Sequence, residues 1–506
     1  MPGLHRHPIA LLIALTLAGT APVHATPDSR AATTEEQTRA LQQALREAAQ
    51  QGAQGDTLGA LVAFERLLAE PGLATLPADD RTEAYVVAGW IALQLSQPAA
   101  ARSYLGSARQ LAPEEPRALY LLGVLESEQG HHVEGARLIT RSLRQADTFL
   151  PEVGFAMAGT QGQLLRGHDT EYRDFLQVLF DRNWKPDGIE PTDFWRLLAV
   201  LQIQSGQSDL VAATLERIDS PMEILALRAD KRFDRYIDRN NPRFDPVQAA
   251  QRHLDALRVN ALLAPDQPSA LVHISQAMLV LGQHEEVLAV TEPMASAVAS
   301  ARVPPNIDDA GDIAWLLNNR AIAQRRLGDI DAALATLEAA AQFKQEGQTN
   351  ISQWLNLAAW QAALLQPRKA LETSARVGDN LSPYGEAVQQ WVRFSAHRQL
   401  GDTEQADRAK AWLKDHADNA DGYVLETLLY DNALDQAAAD LIARLHSTET
   451  RSDALLSVQR LRTVPPLPGD VEQERRWWQV VERADVQAAL KAIGRSEQHA
   501  LFRPGG

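Results

Sequence analysis

Hydrophobic residues along most of the chain recur every three or four positions, the spacing that places them on one face of an amphipathic helix. The helical stretches come in pairs joined by short polar turns. One pair spans residues 90–113 and a second spans residues 124–149, and a shift of 34 positions superposes the first on the second and carries Gly89 onto Gly123. This self-similarity predicts a helical hairpin that is repeated along the chain.

The same spacing of apolar, small and turn residues recurs further along the chain. The clearest copies carry Trp195, Leu198, Ala199, Gly206 and Leu215, and then Leu317, Ala321, Gly328, Asp329, Ala333, Leu337 and Ala340. Three weaker copies carry Leu271, Ile274, Gly282 and Val287, then Trp354, Leu357, Ala358 and Ala370, and then Trp391, Gly401 and Ala406. A further copy at the start of the chain pairs a helix over residues 35–50 with Gly55, Asp56, Ala60 and Phe64. Small residues let two antiparallel helices approach closely, and glycine ends the first helix in the left-handed conformation.

This pattern resembles the tetratricopeptide repeat, and exported bacterial members of that family in particular. The resemblance implies an all-α fold, a tetratricopeptide-like solenoid of helical hairpins (an α-α superhelix) in two arrays. The composition agrees with it, because good helix formers dominate and aromatic residues make up only 6% of the chain.

Changes in composition divide the chain into five predicted parts. They are a signal peptide over residues 1–25, an amino-terminal array over residues 26–227, a linker over residues 228–246, a carboxyl-terminal array over residues 247–450, and a proline-containing linker with a capping helix over residues 451–506. We expect the capping helix to be a single helix over residues 472–494.

The amino terminus has the features of a cleavable secretory signal. A short basic start is followed by an apolar stretch over residues 9–18 and by Val23-His24-Ala25, a cleavage motif with a small residue at its end. We therefore expect export to the periplasm, with a mature protein that begins near Thr26. No later stretch reaches the roughly 20 apolar residues of a membrane helix, so we expect no transmembrane segment in the mature chain.

Charge and residue counts exclude several classes of function. The formal net charge of −16 argues against nucleic acid as a partner, since phosphate neutralisation needs a basic face. The chain has no cysteine, which excludes disulfides, thiolate metal sites and cysteine nucleophiles. Phosphate-binding loops, nucleophile elbows and dinucleotide fingerprints are also missing from the sequence. We expect no enzymatic activity, no cofactor and no metal.

Three histidine-containing clusters were weighed as metal sites. Adjacent His131 and His132 follow Gly130 in a turn and point in different directions. His168 with Asp169 and Glu171, and His284 with Glu285 and Glu286, occur where a solvated turn or a helix start is expected. We interpret all three as ordinary turn or surface residues.

The resemblance also predicts a partner-binding groove in the carboxyl-terminal array. In tetratricopeptide repeats the first helices line the concave face, and the template position that points into it holds His273, Asn319 and Asn356 here. Asparagine amides there would pair with an extended peptide, and Arg325 and Arg326 would hold its acidic groups. The alternative is that the asparagines satisfy helix ends and the arginines lie in water.

Two functions remain open from the sequence. The first is a non-catalytic periplasmic scaffold that binds protein partners in cell-envelope assembly, secretion or polysaccharide export. The alternative is a direct binder of a polymeric ligand, a glycan or an extended peptide, with tryptophans as stacking platforms. A glycan binder needs exposed tryptophan beside amides or carboxylates, whereas a scaffold needs apolar patches rimmed by charge.

Overall fold

A computed structural model describes residues 29–263, 269–300, 310–345 and 347–504 of the chain. Within these ranges the chain forms 25 α-helices and two short strands, so the fold is all-α, as predicted. The predicted signal peptide lies outside the described residues. None of the described helices is both long enough and apolar enough to cross a membrane.

The chain divides into two compact units, with the boundary between Arg217 and Ile218. The helices of the first unit are α1 Ser29–Ala53, α2 Thr57–Leu68, α3 Ala78–Gln94, α4 Pro98–Leu111, α5 Pro116–Glu128, α6 His132–Gln145, α7 Phe155–Leu164, α8 Asp169–Asp181, α9 Thr192–Gln204 and α10 Ser208–Glu216. Short 3₁₀ turns at Pro71–Thr75, Leu150–Glu152 and Pro186–Gly188 connect some of them.

The second unit contains the remaining helices and both strands. They are α11 Pro221–Ala229, α12 Pro246–Leu263, α13 Ser269–Leu281, α14 His284–Ala299, α15 Ala310–Arg326, α16 Ile330–Gln342, α17 Ile351–Ala363, α18 Pro367–Ser374, α19 Pro383–Leu400, α20 Thr403–Asp415, α21 Ala417–Tyr430, α22 Leu434–His446, α23 Arg451–Ser457, β1 Arg460–Arg462, α24 Val471–Val481, α25 Ala484–Ile493 and β2 Gln498–Phe502. Short 3₁₀ turns occur at Lys231–Phe233, Pro242–Phe244 and Ala375–Val377. The two strands pair in parallel.

Helices that follow one another pack as hairpins, which confirms the repeat predicted from the sequence. The pairs α3 with α4, α5 with α6, α15 with α16, and α19 with α20 are among the most extensive helix contacts. Gly123 of α5 shows why a small residue is needed, because a Cβ there would lie 2.9 Å from the carbonyl oxygen of Gly135 on α6. Close helix approach therefore depends on residues at the predicted template positions.

Glycine and aspartate together form several of the hairpin turns. Gly328 has φ +92° and Gly401 has φ +75°, in the left-handed region that glycine adopts without strain. The aspartate that follows each glycine then caps the second helix. Asp329 accepts a hydrogen bond from the backbone N–H of Ala332, and Asp402 does the same for Gln405. These local signals explain why the sequence located the turns.

The C-terminal part of the fold differs from the expected single capping helix. Residues 472–494 were predicted as one helix, and this prediction is wrong: the structure has α24 and α25, separated at Glu482 and Arg483. The backbone of Arg483 is extended, with φ −59° and ψ 145°, and its guanidinium binds Asp435 and Asp485. The break lets the chain turn so that both helices pack on α22.

The stretch predicted as a linker, residues 228–246, belongs to the second unit and contacts its C-terminal end. Arg228 forms an ion pair with Glu497, with Nε and Oε2 3.0 Å apart. The backbone N–H of Arg495 donates to the carbonyl of Ala229 over 2.9 Å. Helix α11 also packs against α23. The first and last elements of this unit are thus in direct contact.

Candidate partner-binding site

Asn319 lies on the inner side of α15 and is buried, with 6% of its surface exposed. Its side-chain amide donates to the carbonyl of Val272 over 3.1 Å and to the hydroxyl of Ser275 over 2.9 Å. Both acceptors belong to α13. The amide predicted to bind a peptide therefore uses both hydrogens to join two first helices.

Asn356 makes the equivalent link one hairpin later. Its amide nitrogen on α17 donates to the side-chain oxygen of Asn318 on α15, at 3.2 Å. Asn318 is buried and Asn356 is half-buried. Together with the bond from Asn319, this contact forms a polar connection across α13, α15 and α17.

His273, the third residue at this template position, is half-buried on α13. It lies near His253 of α12. Partial desolvation is the main reason that the pKa of the exposed His253 is lowered; Asp219 opposes this shift, and the neighbouring His273 adds to it. The polar residues predicted for the groove thus lie mainly at contacts between helices.

Arg326 extends from the last turn of α15 and contacts two other parts of the second unit. Its guanidinium donates to the carbonyl of Leu279 at the end of α13, over 2.8 Å, and to the carbonyl of Arg503, over 2.7 Å. Burial lowers its pKa to about 10, and the neighbouring Arg325 contributes to the shift. A predicted site residue is therefore in contact with residues 460–504, which we call the C-terminal segment.

Phe502 in this segment packs against a ring of basic residues. The guanidinium carbons of Arg326 and Arg462 lie 5.1 Å and 4.9 Å from the centre of the Phe502 ring, a cation–π arrangement. The ring of His284 meets it edge-on at 5.0 Å. A Cβ at Gly282 would lie 2.6 Å from the phenylalanine ring, so this contact requires glycine.

The C-terminal segment also contacts the ends of α17 and α21. The backbone N–H of Gly469 donates to the carbonyl of Ala363 over 2.7 Å, and Arg476 donates to the carbonyls of Leu429 and Tyr430 over 2.7 Å and 2.6 Å. The last carbonyls of a helix have no partner inside the helix and carry the negative end of its dipole. We call the C-terminal ends of α13, α15, α17, α19 and α21, helices that contact one another in succession, the first-helix edge.

Arg325 lies at the same edge, beside the ring of Trp360 at 5.5 Å. Burial lowers the pKa of Arg325, and the carboxylate of Asp470 opposes that shift. Arg325 is thus close to an acidic residue of the C-terminal segment, which is the type of group the sequence predicted for it.

Two neighbouring carboxyl groups, those of Glu426 and Asp470, have raised pKa values. Burial, with a contribution from Asp470, raises the pKa of Glu426 on α21 to about 7. Burial also raises the pKa of Asp470, although Arg325 opposes this effect and Glu474 adds to it. Acidic and basic groups from α15, α21 and the C-terminal segment therefore meet at one place.

Exposed leucines follow the first-helix edge at equivalent turns of three consecutive hairpins. Leu327, Leu365 and Leu400 are 43%, 53% and 41% exposed. Each lies in the turn between the first and second helix of its hairpin or at the end of that first helix. Charged side chains rim them, including Asp329 and Arg368. An apolar row with a charged rim is typical of a surface that binds another protein.

The tryptophans, by contrast, are mostly packed inside the protein. Of the ten tryptophans, all within the described residues, Trp315 is the exposed one, at 40%. Trp184 and Trp195 are buried against each other in the first unit, and Trp412 stacks on His416 in the second. Among the described residues, exposed tryptophan is therefore confined to Trp315.

His131 and His168 are exposed at turns, as the sequence interpretation expected, whereas His284 begins α14 as expected but is buried. His131 contacts Glu126, with Nδ1 and Oε2 2.7 Å apart, and Arg102 shares the same carboxylate. His168 precedes α8, and His284 packs on Phe502. Across the described part of the chain, no group of three or more His, Asp or Glu side chains is arranged to hold a metal ion.

Sequence reasoning missed the C-terminal segment as part of this site. Its proline run was read as a linker, and the distance along the chain from Arg326 to Arg503 is 177 residues. The available signal was the pair Phe502-Arg503, which lies beyond the predicted capping helix.

Comparison with known proteins adds little to these observations. No family model matches the chain, and no curated protein matches it. Among solved structures, the chain is similar to the crystal structure of the APC/C hetero-tetramer Cut9–Hcn1, at 13% identity and a TM-score of 0.24, over 88% of this chain and 95% of that chain. It is also similar to a circular tandem repeat protein with novel repeat topology and enhanced subunit contact surfaces, at 13% identity and a TM-score of 0.12, over 90% and 98% of the two chains. The assignment of a helical-hairpin repeat therefore rests on the packing described above.

Proposed function

We propose that this chain is an exported tetratricopeptide-repeat protein that acts in the periplasm as a non-catalytic scaffold for protein partners. Its place is in cell-envelope assembly, secretion or polysaccharide export. The observation that carries the proposal is the row of exposed leucines Leu327, Leu365 and Leu400 along the first-helix edge. Each of these leucines leaves 41–53% of its surface exposed at the same turn position of its hairpin.

The alternative, direct binding of a glycan, has less support. Sugar rings stack on exposed aromatic faces, and here Trp315 is the single exposed tryptophan of the described residues. A protein-binding edge accounts for more of the exposed apolar surface.

Comparative capture from periplasmic extract tests the scaffold. The parent is compared with a variant carrying Leu327→Ser, Leu365→Ser and Leu400→Ser, and with a control carrying Leu58→Ser and Val62→Ser on α2, where both side chains are also exposed. We expect the triple variant to lose proteins that the parent and the control retain. Equal capture by all three chains would show that this edge is not the binding surface.

Export is tested on the same preparations. Sequencing the amino terminus of the mature protein should give a start at or near Thr26. An intact Met1 on protein recovered from the cytoplasm would contradict the periplasmic part of the proposal.

A further inference from the structure

Arg325, at the first-helix edge, has a buried side-chain donor that lacks a hydrogen-bond acceptor among the described residues. Its Nε is buried and has no hydrogen-bond partner among the residues that the structure describes. A guanidinium has five N–H donors, and a donor buried without an acceptor costs free energy. The ring of Trp360 at 5.5 Å offers a cation–π contact but no hydrogen bond of the usual kind.

Asp470, at the end of the segment over residues 463–470, lies near this arginine. None of the ion pairs of the described residues joins Arg325 to Asp470, although the two are close enough to affect each other's pKa. Asp470 has Glu426 as a second neighbour, and these two carboxyl groups repel each other when both are ionised. Asp470 therefore has one favourable neighbour at this edge, Arg325, and one unfavourable neighbour, Glu426.

The same segment is held by few contacts. Leu467 is buried, whereas Pro465, Pro466 and Pro468 are exposed. One backbone hydrogen bond, from Gly469 to Ala363, joins it to α17. Prolines keep the segment extended without help from neighbours, so its bound shape costs little conformational entropy.

We propose that residues 463–470 form an intramolecular plug over an anion-binding site at Arg325, and that a carboxylate on an extended segment of a partner protein enters this site when the plug leaves. This inference rests on the proposed scaffold function, since it assigns the partner's chemistry at the same edge. The carboxylate would pair with the guanidinium through two parallel hydrogen bonds.

The edge also specifies the rest of the partner segment. A backbone N–H of the partner segment would donate to the carbonyl of Ala363 in place of the N–H of Gly469. Apolar side chains on either side would cover Leu327 and Leu365, which the plug leaves exposed. The partner is thus an extended protein segment that alternates acidic and apolar residues.

The test uses full-length mature protein and a fluorescent peptide with the sequence of residues 463–474. Gly469→Ala opens the plug, because the added Cβ would lie 2.8 Å from the carbonyl oxygen of Ala363. Leu467→Gly is a second opening variant that removes the buried anchor. Gly311→Ala is the matched control, as a Cβ there meets nothing within 4 Å.

We expect both opening variants to bind the peptide about tenfold more tightly than the parent, as for a site that the plug leaves open about a tenth of the time. Adding Arg325→Gln to either variant should abolish the gain, and so should changing the peptide's three acidic residues to amides. Thermal melts identify any variant that fails to fold.

The proposal is overturned if folded opening variants bind no better than the parent, or if Arg325→Gln leaves the gain intact. Because the probe is the protein's own sequence, this result is independent of the capture experiment with the leucine variants. Failure of the plug and failure of the scaffold function are therefore distinguishable.

Discussion

The backbone N–H of Gly469 donates to the carbonyl oxygen of Ala363 over 2.7 Å, which ties an extended stretch of the C-terminal segment to the end of α17. The C-terminal carbonyls of a helix need outside partners, and here a residue far along the chain supplies one. Since the stretch lies at the edge where the sequence predicted partner-binding arginines, the protein holds part of its own chain where we expect a partner.

Gly469→Ala should destabilise the second unit. The Cβ would lie 2.8 Å from the Ala363 oxygen, in a place where backbone and not a flexible side chain must move. We expect a loss on the order of 1–3 kcal/mol, seen as a lower midpoint in thermal or urea unfolding. Gly311→Ala should leave the midpoint nearly unchanged. Equal midpoints for both variants would mean that Gly469 is not docked on α17.

Asn319→Ala should also lower stability, for a different reason. The change removes the donor to the Val272 carbonyl and to the Ser275 hydroxyl, which then remain buried without it. We expect a loss of about 1–3 kcal/mol, whereas Gln276→Ala, on an exposed face of α13, should cost far less. If Asn319→Ala has the melting temperature of the parent, the amide is not needed for stability, and the role predicted from the sequence, contact with a partner, remains open to it.

Ala333→Leu tests the packing of a single hairpin. Ala321 and Ala333 are both fully buried in one cluster between α15 and α16. A larger side chain should overpack the contact and cost on the order of 1–3 kcal/mol in unfolding experiments. Ala335→Leu, on the exposed side of α16, is the control. If Ala333→Leu and Ala335→Leu have the same melting temperature, the assigned register of this hairpin is wrong.

The stability of the second unit should depend on pH through Glu426. Its pKa is raised from 4.5 to about 7 in the folded protein, so the folded state binds a proton more readily than the unfolded chain does. The resulting stabilisation is fully present below about pH 4.5 and is lost as pH rises through 7. Asp470 faces Glu426 and raises its pKa further, and Asp470 in turn is influenced by Arg325 and Glu474.

Glu426→Gln should therefore flatten the melting temperature between pH 5 and 8, a window set by the raised pKa of Glu426. Glu338→Gln, at an exposed position on α16, keeps the pH dependence of the parent. A parallel decline in the parent and in Glu426→Gln across this window would show that another group is responsible.

The hairpins and their turns could be predicted because their signals are local. Apolar spacing fixes which face of a helix is buried, and Asp329 caps α16 through an N–H only three residues away. Gly123 and Gly135 were found in the same way, since close helix contacts leave small residues at regular intervals.

The site was predictable only in part. The sequence located Arg325 and Arg326 at the ends of first helices, but it gave no sign that Asn319 reaches Val272 or that Arg326 reaches Arg503. Those contacts join residues 47 and 177 positions apart, and helical periodicity describes only the faces of each helix. The break at Arg483 was missed because its cause is an extended backbone held by side chains, with no proline or glycine to mark it.

Photo-crosslinking in living cells tests most directly whether the first-helix edge binds protein partners. In one strain a photoreactive residue replaces Leu365, on the exposed leucine row. In a control strain it replaces Glu338, which is exposed on α16, the second helix of its hairpin. We predict discrete higher-mass adducts from position 365 in the periplasmic fraction, absent from position 338 and identified as protein by mass spectrometry. No adduct at position 365, or the same adducts from both positions, would contradict a partner-binding edge.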